Sequence, residues 1–174
     1  MGLASVAPID PVRICARFEI DLIALSALDC DASRFIGVDR SAFSAVTVPC
    51  GIRRAIVHND SHRAYRQRSN ICHELAHCFL GHECTPPLTD EGERTRDGDI
   101  EAEANFLAGA LLVPNEAAIH ILRRGLESVA SATYGVSEQM LDYRLSVSGA
   151  RTIQSRIVGN GTRASSLRGG GRGG

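Results

Sequence analysis

Two histidines four residues apart, with a glutamate directly after the first, form the pattern in this chain best suited to chemistry. They are His73 and His77 in the segment H-E-L-A-H, and the glutamate is Glu74. On an α-helix, residues four apart differ by only about 40° in direction, so both imidazoles can bind one metal ion. A catalytic zinc ion takes three protein ligands and lowers the pKa of its water, whose proton Glu74 would accept and later return to a leaving amine. The pattern therefore indicates a zinc peptidase.

The flanking residues predict the helix that this pattern needs. Asn70 is a favourable N-cap and Gly81 is a favourable residue beyond a helix C-terminus, with apolar residues at helical spacing between them. We therefore expect a helix of about three turns. The same five-residue pattern would arise by chance in roughly one such chain in a hundred, and the alternative is a buried helix whose histidines are satisfied by hydrogen bonds.

A second predicted helix, residues 100–113, offers a third ligand. Its apolar residues have helical spacing and its first turn is acidic, which the helix dipole favours. Glu101 and Asn105 are four apart and share a face, so Glu101 would bind zinc and Asn105 would orient a ligand histidine through its other ring nitrogen. Glu103 is the competing ligand, but it points about 200° away from Glu101, and we expect it to face solvent.

Two blocks carry a resemblance to a known family. They are R-Q-R-S-N-I-C-H-E-L-A-H-C-F-L-G-H (66–82) and E-A-E-A-N-F-L-A-G-A-L-L-V-P (101–114). Both are similar to the ImmA/IrrE family of bacterial and phage zinc metallopeptidases, and the similarity extends over roughly residues 9 to 149.

The resemblance implies the same roles that helix geometry indicates. His73, His77 and Glu101 would be the ligands of one Zn²⁺ per chain, and Glu74 would be the catalytic base. The departures from the family pattern are mild, and none of them, such as Ser69 in place of an aromatic residue, changes a ligand or the base.

The resemblance also implies a substrate. It would be a DNA-binding repressor of the helix-turn-helix class, whose cleavage would derepress a mobile-element or stress operon. The alternative is a non-proteolytic regulator that contains zinc and binds the repressor without cutting it.

A third and weaker hypothesis is DNA binding by residues 126–145, which look like a helix-turn-helix. In the second of these helices Glu138 and Asp142 are offset only by Arg144, which makes a poor surface for phosphates. We therefore expect no direct contact with nucleic acid and expect this segment to pack against the zinc domain.

Size and composition predict one α+β, zincin-like domain at 1–158, in which a small β-sheet packs on the two ligand helices. With 174 residues, 44% of them apolar, the chain is long enough for an ordinary core. Its C-terminal helical part would span about 115–150, and 159–174 would be a flexible tail rich in Gly and Arg. No signal peptide or long apolar run is evident, so we expect a cytoplasmic protein without a membrane partner.

The remaining elements are predicted from caps and apolar runs. A first helix would start at Asp10-Pro11 and end near Arg17. Strands are expected at 20–25, 43–48 and 54–58, with Pro49-Cys50-Gly51 as the turn between the last two. By the resemblance, strand 54–58 would be the edge strand that aligns the substrate. Asn115 and Ser137 would cap helices that end near Arg124 and Leu145, and a helix between them would end at Gly135.

Other polar residues leave alternatives open. The arginines before the active-site helix and the eight acids of 83–103 belong either to solvated faces or to a polarised cleft that orients a charged peptide. These arginines are Arg53, Arg54, Arg63, Arg66 and Arg68. His82 is expected to cap the helix. The donor that would stabilise a tetrahedral oxyanion is not selected by the sequence; the candidates are His58, His62, His120, Tyr65 and Tyr134.

The six cysteines form no C-x-x-C pair, so we expect free and mostly buried thiols. Cys72 and Cys78 flank the two histidines but should point away from the ligand face.

Overall fold

The computed structural model describes residues 5–83 and 98–157, and it shows an α+β fold consistent with a zincin-like architecture. The predicted tail and most of the acidic segment lie outside the described residues. The elements are α1 (Pro11–Arg17), β1 (Asp21–Ala24), α2 (Ser33–Ile36), β2 (Ala45–Cys50), β3 (Arg53–His58), α3 (Ala64–Leu80), α4 (Gly98–Leu112), α5 (Asn115–Arg124), α6 (Glu127–Tyr134) and α7 (Glu138–Val147). Residues 150–157 are also helical.

The three strands form one sheet in the order β1-β3-β2, with β1 parallel and β2 antiparallel to β3. The prediction that 54–58 is the edge strand is therefore wrong, because β3 is central. Its run Ala55-Ile56-Val57 is buried on both faces, as expected of a strand with a neighbour on either side and a layer above and below. The edge strand that contacts α3 is β2.

The β2–β3 turn is tighter than predicted. Pro49 and Cys50 belong to β2, and the turn consists of Gly51 and Ile52. Gly51 has a φ of 63°, which suits the first position of a two-residue hairpin turn because glycine adopts positive φ without a steric cost. Pro49 is tolerated because β2 is an edge strand, where a missing N–H breaks no central ladder.

The sheet separates two apolar layers. On one face, Ile56 packs with Ile14 of α1 and with Ile71 and Leu75 of α3. On the other face, Val57 packs under the segment between β1 and β2. A third and larger cluster lies between α3 and the C-terminal helices. The α3 helix is therefore held from both sides.

The α3 helix is longer than predicted and starts earlier. It runs for 17 residues from Ala64, so Asn70 lies inside it and is not its N-cap. The Asn70 amide instead donates to His62 Nδ1 at 3.3 Å. The C-terminal prediction is confirmed, since Gly81 ends the helix with a φ of 73°.

Of the other three predicted N-caps, two are confirmed and one is wrong. Asp10 accepts a hydrogen bond from the Val12 N–H, and Ser137 accepts one from the Met140 N–H. Asn115 is instead the first residue of α5, with Pro114 before it.

Arg144 connects three C-terminal helices from a fully buried position. Its Nε donates to the Val113 carbonyl at 3.0 Å and its Nη2 donates to Asn115 Oδ1 at 2.7 Å. Its stem passes Gly109 so closely that a Cβ there would lie 2.8 Å from Arg144 Cδ. The only basic residue expected to offset the acids of α7 is thus inside the protein and cannot contact phosphate.

The α4 and α5 helices are separated at Pro114 and bend by 51°. Within the two described ranges no single helix is long and apolar enough to span a membrane. The bent pair of α4 and α5 has sufficient length and apolar composition only when the two helices are taken together.

Small side chains form the contact between α3 and α4. Cys72 and Ala76 of α3 and Ala104 and Ala108 of α4 are all buried in one cluster. The distance between two packed helices depends on the side chains at their contact, so these residues allow α3 and α4 to approach closely. The separation of the two helices is therefore set by four small residues.

We predict that Ala104→Leu destabilises the protein by about 1–3 kcal/mol, because the added branch overpacks this contact. Ala102→Leu is the matched control, since Ala102 is exposed on the same helix, and it should change stability by no more than about 0.5 kcal/mol. Urea unfolding followed by circular dichroism measures both variants. Equal stability of the two variants would contradict a tightly packed α3–α4 contact.

Candidate metal centre

The structure brings His73 and His77 of α3 to Glu101 of α4. The two Nε2 atoms are 3.0 Å apart, and the Glu101 carboxylate oxygens lie 3.5 Å from His73 Nε2 and 3.6 Å from His77 Nε2. A metal ion bound tetrahedrally at about 2.0–2.1 Å separates its ligand atoms by about 3.3–3.4 Å. Two imidazoles and one carboxylate at this spacing fit a divalent metal ion with an open coordination position.

The two acidic residues at the start of α4 have different surroundings. Glu101 is about one-third exposed and points between the histidines, whereas Glu103 is 67% exposed and lies outside the ligand cluster. Among the described residues, Glu103 contacts His82 Nε2 at 3.4 Å. This placement agrees with the prediction that Glu101 and Glu103 point in roughly opposite directions from the helix.

Each histidine has a partner on its other ring nitrogen. His73 Nδ1 is 3.1 Å from Asn105 Oδ1, and His77 Nδ1 is 2.9 Å from His82 Nδ1. An amide oxygen only accepts, so His73 carries its proton on Nδ1 and keeps Nε2 free for a metal. For His77 to keep its Nε2 free for a metal as well, its Nδ1 must donate to His82 Nδ1, which places the His82 proton on Nε2, 3.4 Å from Glu103. Such partners fix the tautomer and the orientation of metal-binding histidines.

His82 is the residue whose contact with the site the sequence did not predict. Its backbone N–H donates to the His77 carbonyl at 3.0 Å, immediately after the left-handed Gly81. This is the expected helix cap, and it also turns the His82 ring towards His77, with the ring centroids 5.0 Å apart. The signal was available, because a residue that follows a Gly at a helix end folds back onto the last turn.

Glu74 lies beside the ligands and is held by the sheet. Thr47 of β2 donates from Oγ1 to Glu74 Oε2 at 2.7 Å. Burial raises the pKa of Glu74, while the Thr47 hydrogen bond and His77 act in the opposite direction. Burial, together with His73, lowers the pKa of His77, which favours the neutral imidazole that metals require.

The candidates for an oxyanion donor are placed differently. Tyr134 Oη donates to the Val6 carbonyl and His62 Nε2 bonds to the Arg40 carbonyl, so both are engaged elsewhere. Tyr65 is exposed two turns before His73 on α3, and His120 lies on α5. His58 is buried on β3, and its Nδ1 has no hydrogen-bond partner among the described residues.

The five described cysteines are free, as predicted, but they are not mostly buried. Cys15 and Cys72 are buried, Cys78 is half-buried, and Cys30 and Cys50 are exposed. Burial raises the pKa of Cys72 to about 12, and Cys78 Sγ is 3.9 Å from Thr47 Oγ1. Neither residue belongs to the ligand cluster. Cys84 lies outside the described residues.

The chain was compared with models of known families. The model of peptidase family M78, described as the IrrE N-terminal-like domain, matches residues 15–146. This span contains both α3 and α4, and hence every residue of the candidate centre. No curated protein matches the chain.

We predict that Glu101→Gln lowers the affinity for Zn²⁺ at least about 100-fold, because the amide removes the only anionic ligand while keeping the size of the side chain. Glu103→Gln is the matched control on the same helical turn, and it should lower the affinity less than about tenfold because Glu103 reaches the site only through His82. Competition with a chromogenic chelator measures both constants. A larger loss of affinity for Glu103→Gln than for Glu101→Gln would show that Glu103, and not Glu101, is the metal ligand.

Proposed function

Because the chain belongs to the ImmA/IrrE family of peptidases, whose domain spans residues 15–146, we propose that it is a zinc-dependent endopeptidase. The observation that carries this proposal is the convergence of His73, His77 and Glu101, with Glu74 beside them. A zinc ion held by the first three would polarise a peptide carbonyl and lower the pKa of water towards neutrality.

Glu74 has the surroundings of a general base. Its carboxylate accepts the proton of the attacking water and returns it to the departing amine, so it must be able to hold a proton in between. Burial favours the protonated form, and a bound dication would favour the ionised one. The hydrogen bond from Thr47 occupies Oε2 and leaves Oε1 for the water.

The outer edge of β2 offers a place for the substrate backbone. The Asn59 N–H donates to the Ser44 carbonyl, which puts this pair and every second pair after it in the hydrogen-bonded positions of the β2–β3 ladder. Thr47 falls between them, so its backbone N–H and C=O point away from β3. A peptide added as a further strand would pair there, beside the residue whose side chain holds Glu74.

The proposed substrate is a helix-turn-helix transcriptional repressor, whose cleavage would derepress a mobile-element or stress operon. Membership of the ImmA/IrrE family supports this choice, and the repressor encoded beside the gene of this protein is the first to test. The alternative is that the protein binds zinc and the repressor without cutting it.

Glu74→Gln separates the two functions. We expect this variant to keep its zinc and to lose about 10²–10⁴-fold in cleavage rate, because the amide cannot accept a proton. Incubation of the zinc-loaded protein with the neighbouring repressor, followed by mass spectrometry, measures cleavage, and a reporter operon measures derepression. Glu116→Gln, at an exposed glutamate of α5, is the control and should cleave like wild type. If Glu74→Gln derepresses as well as wild type, the protein does not act as a peptidase.

Thr47→Val tests the link between the edge strand and the base. Valine keeps the shape of threonine but removes the hydrogen bond to the carboxylate, so we expect kcat to fall about 10- to 100-fold, which matches ~1.5–3 kcal/mol for a bond to a charged group. Zinc affinity should not change. Thr133→Val removes an exposed hydroxyl that bonds only to the Val129 carbonyl, and it should have no effect. Unchanged turnover in Thr47→Val would show that Glu74 needs no support from β2.

A further inference from the structure

A basic cavity of about 200 Å³ lies at the start of α3, away from the candidate metal centre. It is lined by Arg40, Ser61, His62, Arg63, Tyr65 and Arg66. Three of the six lining residues are arginines and none is acidic. The sequence placed Arg63 and Arg66 before the active-site helix, but Arg40 joins them only through the fold.

The positive charge of this cavity is not compensated by the described part of the chain. Arg40, Arg63 and Arg66 form no ion pair there, and the contact found for Arg66 is a 3.4 Å hydrogen bond to Ser44 Oγ. The first turn of α3 has no acidic residue and no side-chain cap. Because the N-terminus of a helix is itself positive, three cations around it repel one another and the helix. An anion would remove this repulsion.

The wall that carries Arg40 is held in place by buried polar side chains. Asn59 is fully buried and donates to the carbonyls of Phe35, Arg40 and Phe43. The His62 ring is buried as well, and its Nε2 lies 2.6 Å from the Arg40 carbonyl. The backbone that presents Arg40 is therefore ordered in advance of any ligand.

A second cavity adjoins the basic one and extends along α3 in the direction of the metal centre. Its volume is about 140 Å³, and it shares Tyr65 and Arg66 with the basic cavity. It continues along α3 to Ser69, one helical turn before His73, and its opposite wall contains Val136 and Met140. From Arg63 or Arg66 to His73 is roughly 10–15 Å along the helix axis. An extended peptide covers that length with about three to five residues.

We propose that the basic cavity binds an acidic side chain of the substrate, three to five residues from the peptide bond that is cut. Arg40, Arg63 and Arg66 would donate to the carboxylate at the start of α3, and the neighbouring cavity would take an adjacent apolar side chain against Val136 and Met140. This inference rests on the proposed function and adds a preference for acidic substrates to it.

A protein segment fits the cavity better than nucleic acid does. Nucleic-acid surfaces commonly neutralise about six to ten phosphates along a stripe. Here three arginines converge on one cavity in a chain of net charge −1. The volume suits one anionic group and not a backbone of phosphates.

Peptide binding tests the cavity without requiring turnover. The probes are a fluorescein-labelled octapeptide with the sequence Ala-Ala-Leu-Glu-Glu-Ala-Ala-Ala and its Gln-Gln analogue, titrated into zinc-loaded Glu74→Gln protein and followed by anisotropy. We expect the Glu peptide to bind at least fivefold more tightly than the Gln peptide. Adding R40Q/R63Q/R66Q should abolish this difference. Adding R13Q/R53Q/R123Q, which removes the same charge from exposed arginines elsewhere, should preserve it.

Any of the following results would overturn the proposal. The preference for the Glu peptide could survive R40Q/R63Q/R66Q, or both triple variants could lose it equally, which would indicate a general charge effect. A twelve-residue oligothymidylate could displace the labelled peptide at a tenfold lower concentration than unlabelled Glu peptide, which would make the cavity a nucleic-acid site.

Thermal melting provides a further check, because R40Q/R63Q/R66Q should melt at the same or a higher temperature than wild type once the like charges are removed. A lower melting temperature would show that the three arginines stabilise the fold, and it would contradict their proposed role in binding an anion.

Cleavage-site mapping separates the failure of this proposal from failure of the proposed function. Zinc-loaded wild-type protein is incubated with a proteome-derived peptide library, and the cut sites are identified by mass spectrometry. We expect Asp and Glu to be enriched three to five residues from the cut bond, and R40Q/R63Q/R66Q to lose this enrichment while still cleaving. Cleavage without enrichment of Asp and Glu would overturn the proposal of an acidic-residue subsite but not the proposed peptidase function. No cleavage by wild type would overturn the peptidase, and the binding experiment would still decide whether the cavity takes a carboxylate.

Discussion

The chemistry available to this protein depends on how closely α3 approaches α4. The ligand atoms come from both helices, and Glu101 lies 3.5 and 3.6 Å from the two histidine nitrogens only because Ala76 and Ala104 leave no bulk between the helices. Metal sites tolerate deviations of only about 0.2 Å in their bond lengths. Core packing and metal binding are therefore one constraint, and a bound ion would in turn stabilise the packing that forms its site.

The other end of α4 is fixed by an unusual buried cation. Arg144 has no carboxylate partner in the described structure, and its guanidinium bonds instead to the Val113 carbonyl and the Asn115 side chain. The C-terminus of a helix carries partial negative charge, so α4 itself provides the compensating potential. Gly109 leaves room for the arginine stem. A helix held at its C-terminus in this way presents Glu101 at a defined height opposite α3.

Local signals in the sequence predicted the parts of the structure that depend on local geometry. Some features depend only on the helix in which they lie, so the sequence around them is enough to predict them. They are the four-residue spacing of His73 and His77, the Asp10 and Ser137 caps and the helix end at Gly81. The prediction that Asn70 is an N-cap was wrong. A residue with a strong capping preference can also lie inside a helix when its amide has another hydrogen-bond partner, which here is His62. A preference is local, whereas the partner that overrides it comes from the fold.

The central position of β3 and the approach of Arg40 could not be predicted for the same reason. Sheet order depends on which strands pair, and periodicity within one strand does not encode it. The backbone of Arg40 is held beside the basic cavity by a hydrogen bond from the buried Asn59, which lies 19 residues further along the chain.

The two ligand helices also differ in how their positive ends are compensated. The first turn of α4 contains Asp99 and Glu101, whereas α3 starts among arginines with no acidic residue. In the proposed complex the substrate carboxylate supplies the missing negative charge and stabilises the start of α3. Because His73 and His77 lie on that same helix, the substrate would add to the stability of the element that holds the metal. In that complex α3 would be most firmly held when the substrate is in place.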